Sequence, residues 1–504
     1  MAAVRVAAQR MDPVRKILLY DNTQPPPSDV SNLLGIERFS DVYYRKRSLE
    51  RWMSDLADQA GFNFVDIETL AHPDSLIQPP LAGSGRQIIV YVPAWIAFGC
   101  AETEASLFLQ KLGLTRNNLR VTSDSATFDP RAPYMMALVD DMAKALLHSI
   151  AAGESAESFL REVADQLQPV PDDARMIDLR DPLRFTDYLT SNFDARFFNS
   201  VQTVNDFVLL KRSTDGAKLR REHDFYHLLP PSMQMFFVQP YDFRQEAEGA
   251  SYKMERLFVP DMALQWIHGS LDETHLERFL DKVLFFVRSR PTRSVPRDVA
   301  ERARNEAYRS KLLARIEQLE ALPAYAAIEP YARATFGGVR TLVARYFALL
   351  DRARPADIEK SLCIGHGDLC FSNILYSKTT GLMRFIDAKG AATEDELYVN
   401  PYYDIAKLSH SVVGNYDFIN YGLFRLEVDA DLKVRVLIDA APKPWAAVAF
   451  RRKLVQNGFD PVLARLYEAS LFISMAPLHI DVPKKVVAFL VNAAGILDEV
   501  EREF

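Results

Sequence analysis

The sequence predicts two architectures in succession: an α/β domain over residues 1–180, then an α+β region with a strand-rich part (181–290) and a helical part (291–504). Three observations predict it. The chain has 504 residues, more than one hydrophobic core ordinarily serves. Short apolar runs alternate with helix-periodic segments up to residue 168, as strands layered against helices do. After QPVPDD (168–173), read as a linker, the pattern changes to short strands around one helix, and then to helices.

Each element follows from its own residues. KILLY (16–20) reads as a buried strand and runs into the turn-rich DNTQPPPSD. Leu49, Trp52, Leu56 and Ala60 share one face of the next helix, and FNFVDI (62–67) and QIIVYV (87–92) are further strands. Residues 136–168 alternate apolar and polar positions at helical spacing. GSGR (83–86) turns the chain, and no Gly-rich phosphate loop is present in this domain. In the second region FDARFFNSVQ, DFVLLKRS and SYKMERLFV read as strands around a helix at 215–229. SRPTRSVPRD (289–298) punctuates the chain and opens a long helix over 298–321, with Leu312, Ile316 and Leu319 on one face. Beyond 330 the reading is helical, apart from one loop and hairpin.

Composition excludes several classes. Hydrophobic residues make up 48% and charged ones 25%, the balance of a folded soluble protein. The net charge of −7, with no polybasic stretch, argues against a nucleic-acid partner. Cys100, Cys363 and Cys370 have neither disulfide-framework nor zinc spacing, which fits a reducing compartment. The N-terminal MAAVRVAAQRMDPVRK lacks the apolar core of a signal peptide, and runs such as QIIVYVPAWIAFGC are too short to span a bilayer. The expectation is a cytoplasmic protein with no integral membrane association.

Residues 365–376 read GHGDLCFSNILY, and MRFIDAKG follows with Asp387. Phosphoryl transfer from ATP needs a carboxylate to take the proton of the acceptor hydroxyl, hard oxygen ligands for Mg²⁺, and a lysine on the phosphates steadied by its own carboxylate. Asp368 is the candidate base, and Asn373 and Asp387 are candidate magnesium ligands. NILY and LMRFID, joined by SKTTG, form a hairpin that brings Asp387 beside Asn373. His366 orders the loop by hydrogen bonding. The plainer alternative is an Asp and an Asn that merely cap loop backbone.

HGDLCFSNIL followed by FIDAKG resembles the catalytic loop and metal-binding aspartate of the aminoglycoside phosphotransferase/choline kinase superfamily, small-molecule kinases with a protein-kinase-like fold. In NPYYDIAKLSHS (400–411), Asp404 matches the aspartate that opens a helix and buttresses the catalytic loop. The resemblance covers about 185–504 and is strongest over 364–410. It implies two lobes, with 181–290 as the N-lobe and hinge and 291–504 as the C-lobe. It also implies ATP and Mg²⁺ as cofactors and a small-molecule hydroxyl as acceptor. Lys211 in DFVLLKRS and Glu222 on the following helix fit the expected phosphate-holding ion pair. Lys218 competes with Lys211, though its neighbours look solvent-facing, and two ordinary surface charges are the bland alternative. Backbone around Glu255–Leu257 would face the adenine, with Met254 near the ring.

The chain departs from the family in two places. RFFNSVQTVND contains no glycine, so a Gly-rich flap is missing; the resemblance implies that Ser or Asn amides can serve instead, without assigning that role to Asn199 or Ser200. Ala388-Lys389-Gly390 follows the metal aspartate, and Lys389 is read either as a phosphate contact or as a solvated loop lysine. His479 and Asp481 in MAPLHIDVP are read as structural, and Phe225, Tyr226, Phe236 and Phe237 as core. The arginine-rich stretch 289–320 is read as a solvated helix face with i,i+4 pairs.

Three functions compete. The leading one is a small-molecule kinase acting on a sugar or amino alcohol. Its fused N-terminal domain resembles those of bacterial surface-polysaccharide and capsule biosynthesis proteins and is read as degenerate nucleotidyltransferase-like or unrelated. A metallophosphoesterase needs His-rich ligand motifs that VGNYDF (413–418) does not supply. A pseudokinase-like nucleotide-binding or scaffolding protein is the alternative to catalysis.

Overall fold

The computed structural model describes residues 14–44, 46–70, 76, 86–122, 129, 131–190, 199–353, 360–438 and 444–503. The stretch MAAVRVAAQRMDP, the glycines of GSGR, the FDARFF half of the first expected strand of the second region, and the Asn199 side chain lie outside them. The chain divides into two compact units, Met1–Leu189 and Thr190–Phe504.

The first unit is built on a six-stranded sheet. Its strands are β1 (Arg15–Asp21), β2 (Asn63–Asp66), β3 (Gln87–Pro93), β4 (Leu119–Thr122), β5 (Tyr134–Val139) and β6 (Gln168–Pro171). They lie in the order β2-β1-β3-β5-β4-β6. β1 runs parallel to β2 and β3, β5 runs antiparallel to β3 and β4, and β6 is parallel to β4. β3 is buried along its whole length, which is why QIIVYV carries no polar alternation. Helix α1 (Leu49–Ala60) buries Trp52, Met53 and Leu56, and Ser48 caps it by accepting the N–H of Arg51.

Two readings need correction in this unit. QPVPDD is not a linker: Gln168–Pro171 forms the edge strand β6. Pro169 and Pro171 lack the N–H that a central strand must donate, so the edge is where such a segment fits. The chain then stays in the first unit, past the boundary expected at 180, because Phe185, Tyr188 and Leu189 of helix α2 (Pro182–Thr190) are buried. Residues 136–139, expected as helix, belong to β5. Met135–Leu138 is an apolar run flanked by strands on both sides, and the helix of that region begins only at Asp140.

The second unit opens with an antiparallel four-stranded sheet in the order β7-β8-β10-β9. It comprises β7 (Asn199–Asn205), β8 (Val208–Ser213), β9 (Pro240–Glu246) and β10 (Gly249–Glu255). Helix α3 (Gly216–Leu228) packs on it through Leu219, which joins Leu209, Val238, Tyr252 and Met254 in one apolar cluster. A mostly helical region follows. Helix α4 (Glu273–Ser289) buries Leu276, Phe279, Leu280, Val283 and Phe286. Phe279 meets Phe371 and Tyr376 edge-on, and Phe286 meets Phe385. These two rings, one heptad apart, seat the loop and hairpin that the sequence singled out.

The long helix expected over 298–321 is α5 (Arg297–Asn305), a π-helical turn (Glu306–Ser310) and α6 (Lys311–Glu320). Leu312, Ile316 and Leu319 are buried as their spacing requires. The interruption lies where Arg304 and Tyr308 close on Tyr467, with the two tyrosine rings stacked at 3.9 Å. Arg297–Glu301 and Asp298–Arg302 are the expected solvated i,i+4 pairs. Arg290 and Arg304 break that reading. Arg304 also donates to the carbonyls of Leu350 and Ala353, and Arg290 is buried. Strand β11 (Thr292–Ser294) pairs with β12 (Ser361–Ile364). The hairpin is β13 (Ile374–Tyr376) with β14 (Met383–Phe385). A further hairpin, Phe424–Val428 with Val434–Ile438, interrupts the helical tail without having been expected.

No helix among the described residues is long and apolar enough to cross a membrane. Cys100, Cys363 and Cys370 are unpaired thiols. Phe279→Ala is expected to lower stability by about 3–5 kcal/mol, the usual cost of deleting a buried aromatic ring. Urea denaturation followed by tryptophan fluorescence reads this as a lower midpoint for the second unit. An unchanged midpoint would show that the ring is not a core contact.

Candidate active site

β12 delivers the chain into the loop 365–373, and helix α7 (Tyr403–Val412) holds that loop from below. Asp404 is fully buried in the first turn of α7, where the helix dipole favours a carboxylate. Its Oδ2 accepts the N–H of His366 at 2.9 Å and its Oδ1 that of Gly367 at 2.8 Å. Arg290 donates to Oδ2 at 2.8 Å, so the buried charge is both paired and hydrogen-bonded. Gly367 has φ +80, and a Cβ there would strike the stem of Lys389, so the loop requires glycine at this point.

His366 is buried, and the Nδ1 of its ring accepts the N–H of Asp368 at 3.1 Å. Nε2 lies 2.9 Å from the carbonyl oxygen of Ile386, so the proton belongs on Nε2. Burial pushes the imidazole below its ordinary value, consistent with a neutral ring that orders the loop. Asn373 donates its Nδ2 hydrogens to the carbonyl oxygen of Asp368 at 2.8 Å and to Asp368 Oδ2 at 3.2 Å. That orientation leaves Oδ1 of the amide as the oxygen a cation can use.

Lys407, which the sequence reading did not single out, pairs with Asp368 Oδ1 at 2.8 Å. The Asp368 side chain is 43% exposed and that of Lys407 12%. Burial raises the Asp368 carboxyl, but the Lys407 ammonium prevails and holds it at about 2. Farther along α7, Ser411 accepts the N–H of Phe371. Asp404, Lys407 and Ser411 stand at i, i+3 and i+7, one helix face, and they engage residues 366, 367, 368 and 371 in turn. The spacing in DIAKLSHS is the signal that would have found Lys407 and Ser411. Arg290 had no such signal, because its partner lies 114 positions away.

Asp387 follows β14 with φ 57, a left-handed conformation that aspartate tolerates better than most residues. Its Oδ1 is 2.8 Å from Lys211 Nζ, and the same ammonium is 2.7 Å from Glu222 Oε2. Lys211 sits on β8 opposite Tyr252 and is buried, whereas Lys218 is exposed and 3.9 Å from Glu222. Burial opposes the Lys211 charge, but its two carboxylate partners raise the group well above its ordinary value. Burial likewise opposes the Asp387 charge, and Lys211 overcomes it to lower the carboxyl. Glu222 moves the other way, since burial outweighs Lys211 there.

The structure therefore gathers Lys211, Glu222 and Asp387 into one cluster and His366, Asp368, Asn373 and Asp404 into another. The two are joined by the N–H of Ile386 donating to the Asn373 carbonyl. Glu255 and Leu257 do not enter either cluster. Glu255 is exposed at the end of β10, and Leu257 packs on the apolar cluster beside Val259 and Ile386. Met254 and Tyr252 line a narrow cavity with Glu222, Phe237 and Asp387. The Lys389 N–H donates to the His366 carbonyl, and its side-chain stem crosses Gly367. His479 packs edge-on to Phe489 in the helical core.

Among the described residues no three His, Cys, Asp or Glu side chains assemble to hold a metal. The oxygens that fit a hard cation are Asn373 Oδ1 and the Asp387 carboxylate, so Mg²⁺ here would need further oxygens from a bound phosphate.

No family model and no curated protein matches this chain. Solved structures similar to it are aminoglycoside phosphotransferases. A spectinomycin phosphotransferase, APH(9)-Ia, solved with ADP and spectinomycin, is 14% identical, with 62% of this chain and 92% of that one covered and a TM-score of 0.39. An aminoglycoside phosphotransferase from Streptomyces rimosus, solved with ADP and streptomycin, is 18% identical over 54% of this chain and 86% of its own, with a TM-score of 0.29.

The depressed Asp368 carboxyl has a pH signature. A group lowered in the folded state contributes stability above its unfolded value, ordinarily 3.8, and loses it as pH falls toward about 2. Acid titration of the wild type should show this loss below pH 4, and Asp368→Asn should flatten it. Identical acid profiles for the two proteins would contradict the ion pair.

Proposed function

We propose that the second unit is a Mg²⁺-dependent phosphotransferase with a two-lobed, protein-kinase-like fold. It moves the γ-phosphoryl group of ATP onto a hydroxyl of a small molecule, a sugar or amino alcohol of surface-polysaccharide or capsule metabolism. One observation carries the reading. A buried lysine on the sheet is held between Glu222 and Asp387, and Asp387 comes from the hairpin that follows a loop pairing Asp368 with Asn373.

Each residue has a distinct task in this scheme. Lys211, steadied by Glu222, meets the α- and β-phosphates. The Asn373 amide oxygen and the Asp387 carboxylate would hold the magnesium, which neutralises charge on the phosphates when bound. Asp368 takes the proton of the acceptor hydroxyl as its oxygen attacks. Asp404 and His366 fix the loop so that the Asp368 carboxylate is in place beforehand. Backbone at Glu255–Leu257, with Met254, is the proposed seat of the adenine. The reading places the protein in the cytoplasm, where ATP is available and its three thiols stay reduced.

Asp368→Ala should lower ATP turnover by about 10²–10⁴-fold while Mg·ATP binding persists. Asp387→Ala should weaken nucleotide binding in Mg²⁺ and leave the weaker metal-free binding unchanged. ADP release under a screen of sugars, amino alcohols and aminoglycosides, combined with thermal shift in Mg·ATP, checks both. Absence of any Mg-dependent nucleotide binding by the wild type would sink the kinase reading. Binding with no turnover on any acceptor, or on water, would point to a nucleotide-binding scaffold instead.

A further inference from the structure

The loop that carries Asp368 and Asn373 contains no cation: Leu369, Cys370, Phe371 and Ser372 lie between them. A γ-phosphoryl group arriving at Asp368 would meet that carboxylate and the charge of Asp387, one residue beyond the Ile386 N–H that donates to the Asn373 carbonyl. The Lys211 ammonium is already bonded to Glu222 and Asp387. Magnesium held by Asn373 and Asp387 would offset the Asp387 charge, but the Asp368 carboxylate would still repel an anionic group in a partly desolvated site. Lys407 stands at the right place to compensate. Its Nζ is 2.8 Å from Asp368 Oδ1, its stem rises from α7 one turn beyond Asp404, and its side chain retains some exposure.

The two oxygens of Asp368 are engaged by different partners. Asn373 holds Oδ2 with an amide that is also fastened to the Asp368 carbonyl, and Lys407 holds Oδ1. The lysine is the partner that can change position, since its ammonium has three donors on a flexible stem. Resting on the phosphotransferase reading, we propose that Lys407 binds the phosphoryl group in transfer. Its ammonium passes from Asp368 Oδ1 to an oxygen of the γ-phosphoryl group, and Oδ1 is thereby freed for the acceptor proton. In the step itself the acceptor oxygen–phosphorus bond forms and the bond from the γ-phosphorus to the β,γ-bridging oxygen breaks. The bridging electron pair leaves with ADP, the hydroxyl proton goes to Asp368, and Lys407 stays protonated. Positive charge on the side of the base itself thus comes from a helix downstream of the loop, in addition to the magnesium.

The test compares Mg·ADP with Mg·ADP plus aluminium fluoride, a planar mimic of the phosphoryl group in flight, binding to the full chain. The wild type should prefer the fluoride complex. Lys407→Met should reduce that preference by about 100-fold while leaving affinity for Mg·ADP unchanged. Lys407→Gln, which keeps a hydrogen bond to Asp368, carries the same expectation if the methionine variant fails to fold. Lys407→Arg should retain most of the preference. A residue that merely braced the loop would weaken both complexes equally, and that result overturns the proposal. So does loss of the preference in Lys389→Ala with none in Lys407→Met. A wild-type preference that survives in Lys407→Met and Lys407→Gln removes Lys407 from the step and leaves the kinase reading standing. A wild type that binds no Mg·ADP removes both.

Discussion

A single buried carboxylate, that of Asp404, organises the candidate site. Removing a charge from water costs several kcal/mol unless it is paired and hydrogen-bonded. Asp404 meets that condition only with Arg290 on one side and the two loop N–H groups on the other. Its partners therefore have to be where they are: the end of α4, the start of the loop, and the first turn of α7. With those three fixed, His366 can accept the Asp368 N–H and reach the Ile386 carbonyl, and the path of the loop is set on both sides. The aromatic contacts of Phe279 and Phe286 supply the cohesion beneath, but they are nondirectional. The Asp404 network supplies the direction.

The second cluster obeys the same electrostatic rule with a different outcome. Lys211 is buried, so it needs carboxylates, and it finds one on α3 and one beyond β14. Asp387 is half exposed while Glu222 is not. The pair to Glu222 is accordingly the one better shielded from water. The unusual φ of Asp387 belongs to this arrangement, since it turns the chain straight after a strand tied to Phe236 and Asn373.

Much of this was legible in the sequence because the chemistry sits in short, polar, closely spaced strings. Asp368, Asn373 and Asp387 are separated by a loop and a hairpin whose turn, SKTTG, is recognisable from its residues. Lys211 and Glu222 lie on a strand and the helix after it. What escaped was contact between segments remote in sequence. Arg290 looked like one more residue in an arginine-rich stretch, and nothing local distinguishes it from its solvated neighbours. Lys407 lies inside the same motif as Asp404, one helical turn on, and only the helical spacing of that motif distinguishes it. In the first unit, the prolines of QPVPDD suggested a linker because their missing N–H groups weigh equally against a strand interior and for a strand edge. The apolar run at Met135–Leu138 was joined to the helix behind it, since a short buried run has no period of its own.

The Lys211–Asp387 bond also has a kinetic meaning. It closes a separation of 176 residues, and the entropy of such a closure is on the order of 5 kcal/mol before any contact rewards it. The sheet that carries the lysine is made of neighbouring strands and can form early. The carboxylate that completes the ammonium's shell arrives only after the hairpin has docked. A nascent chain that has emerged as far as α4 therefore holds a lysine with half its partners, and the charged centre comes into being late, as a property of the whole unit. Translation has to pass the hairpin before the protein can have any affinity that depends on this cluster.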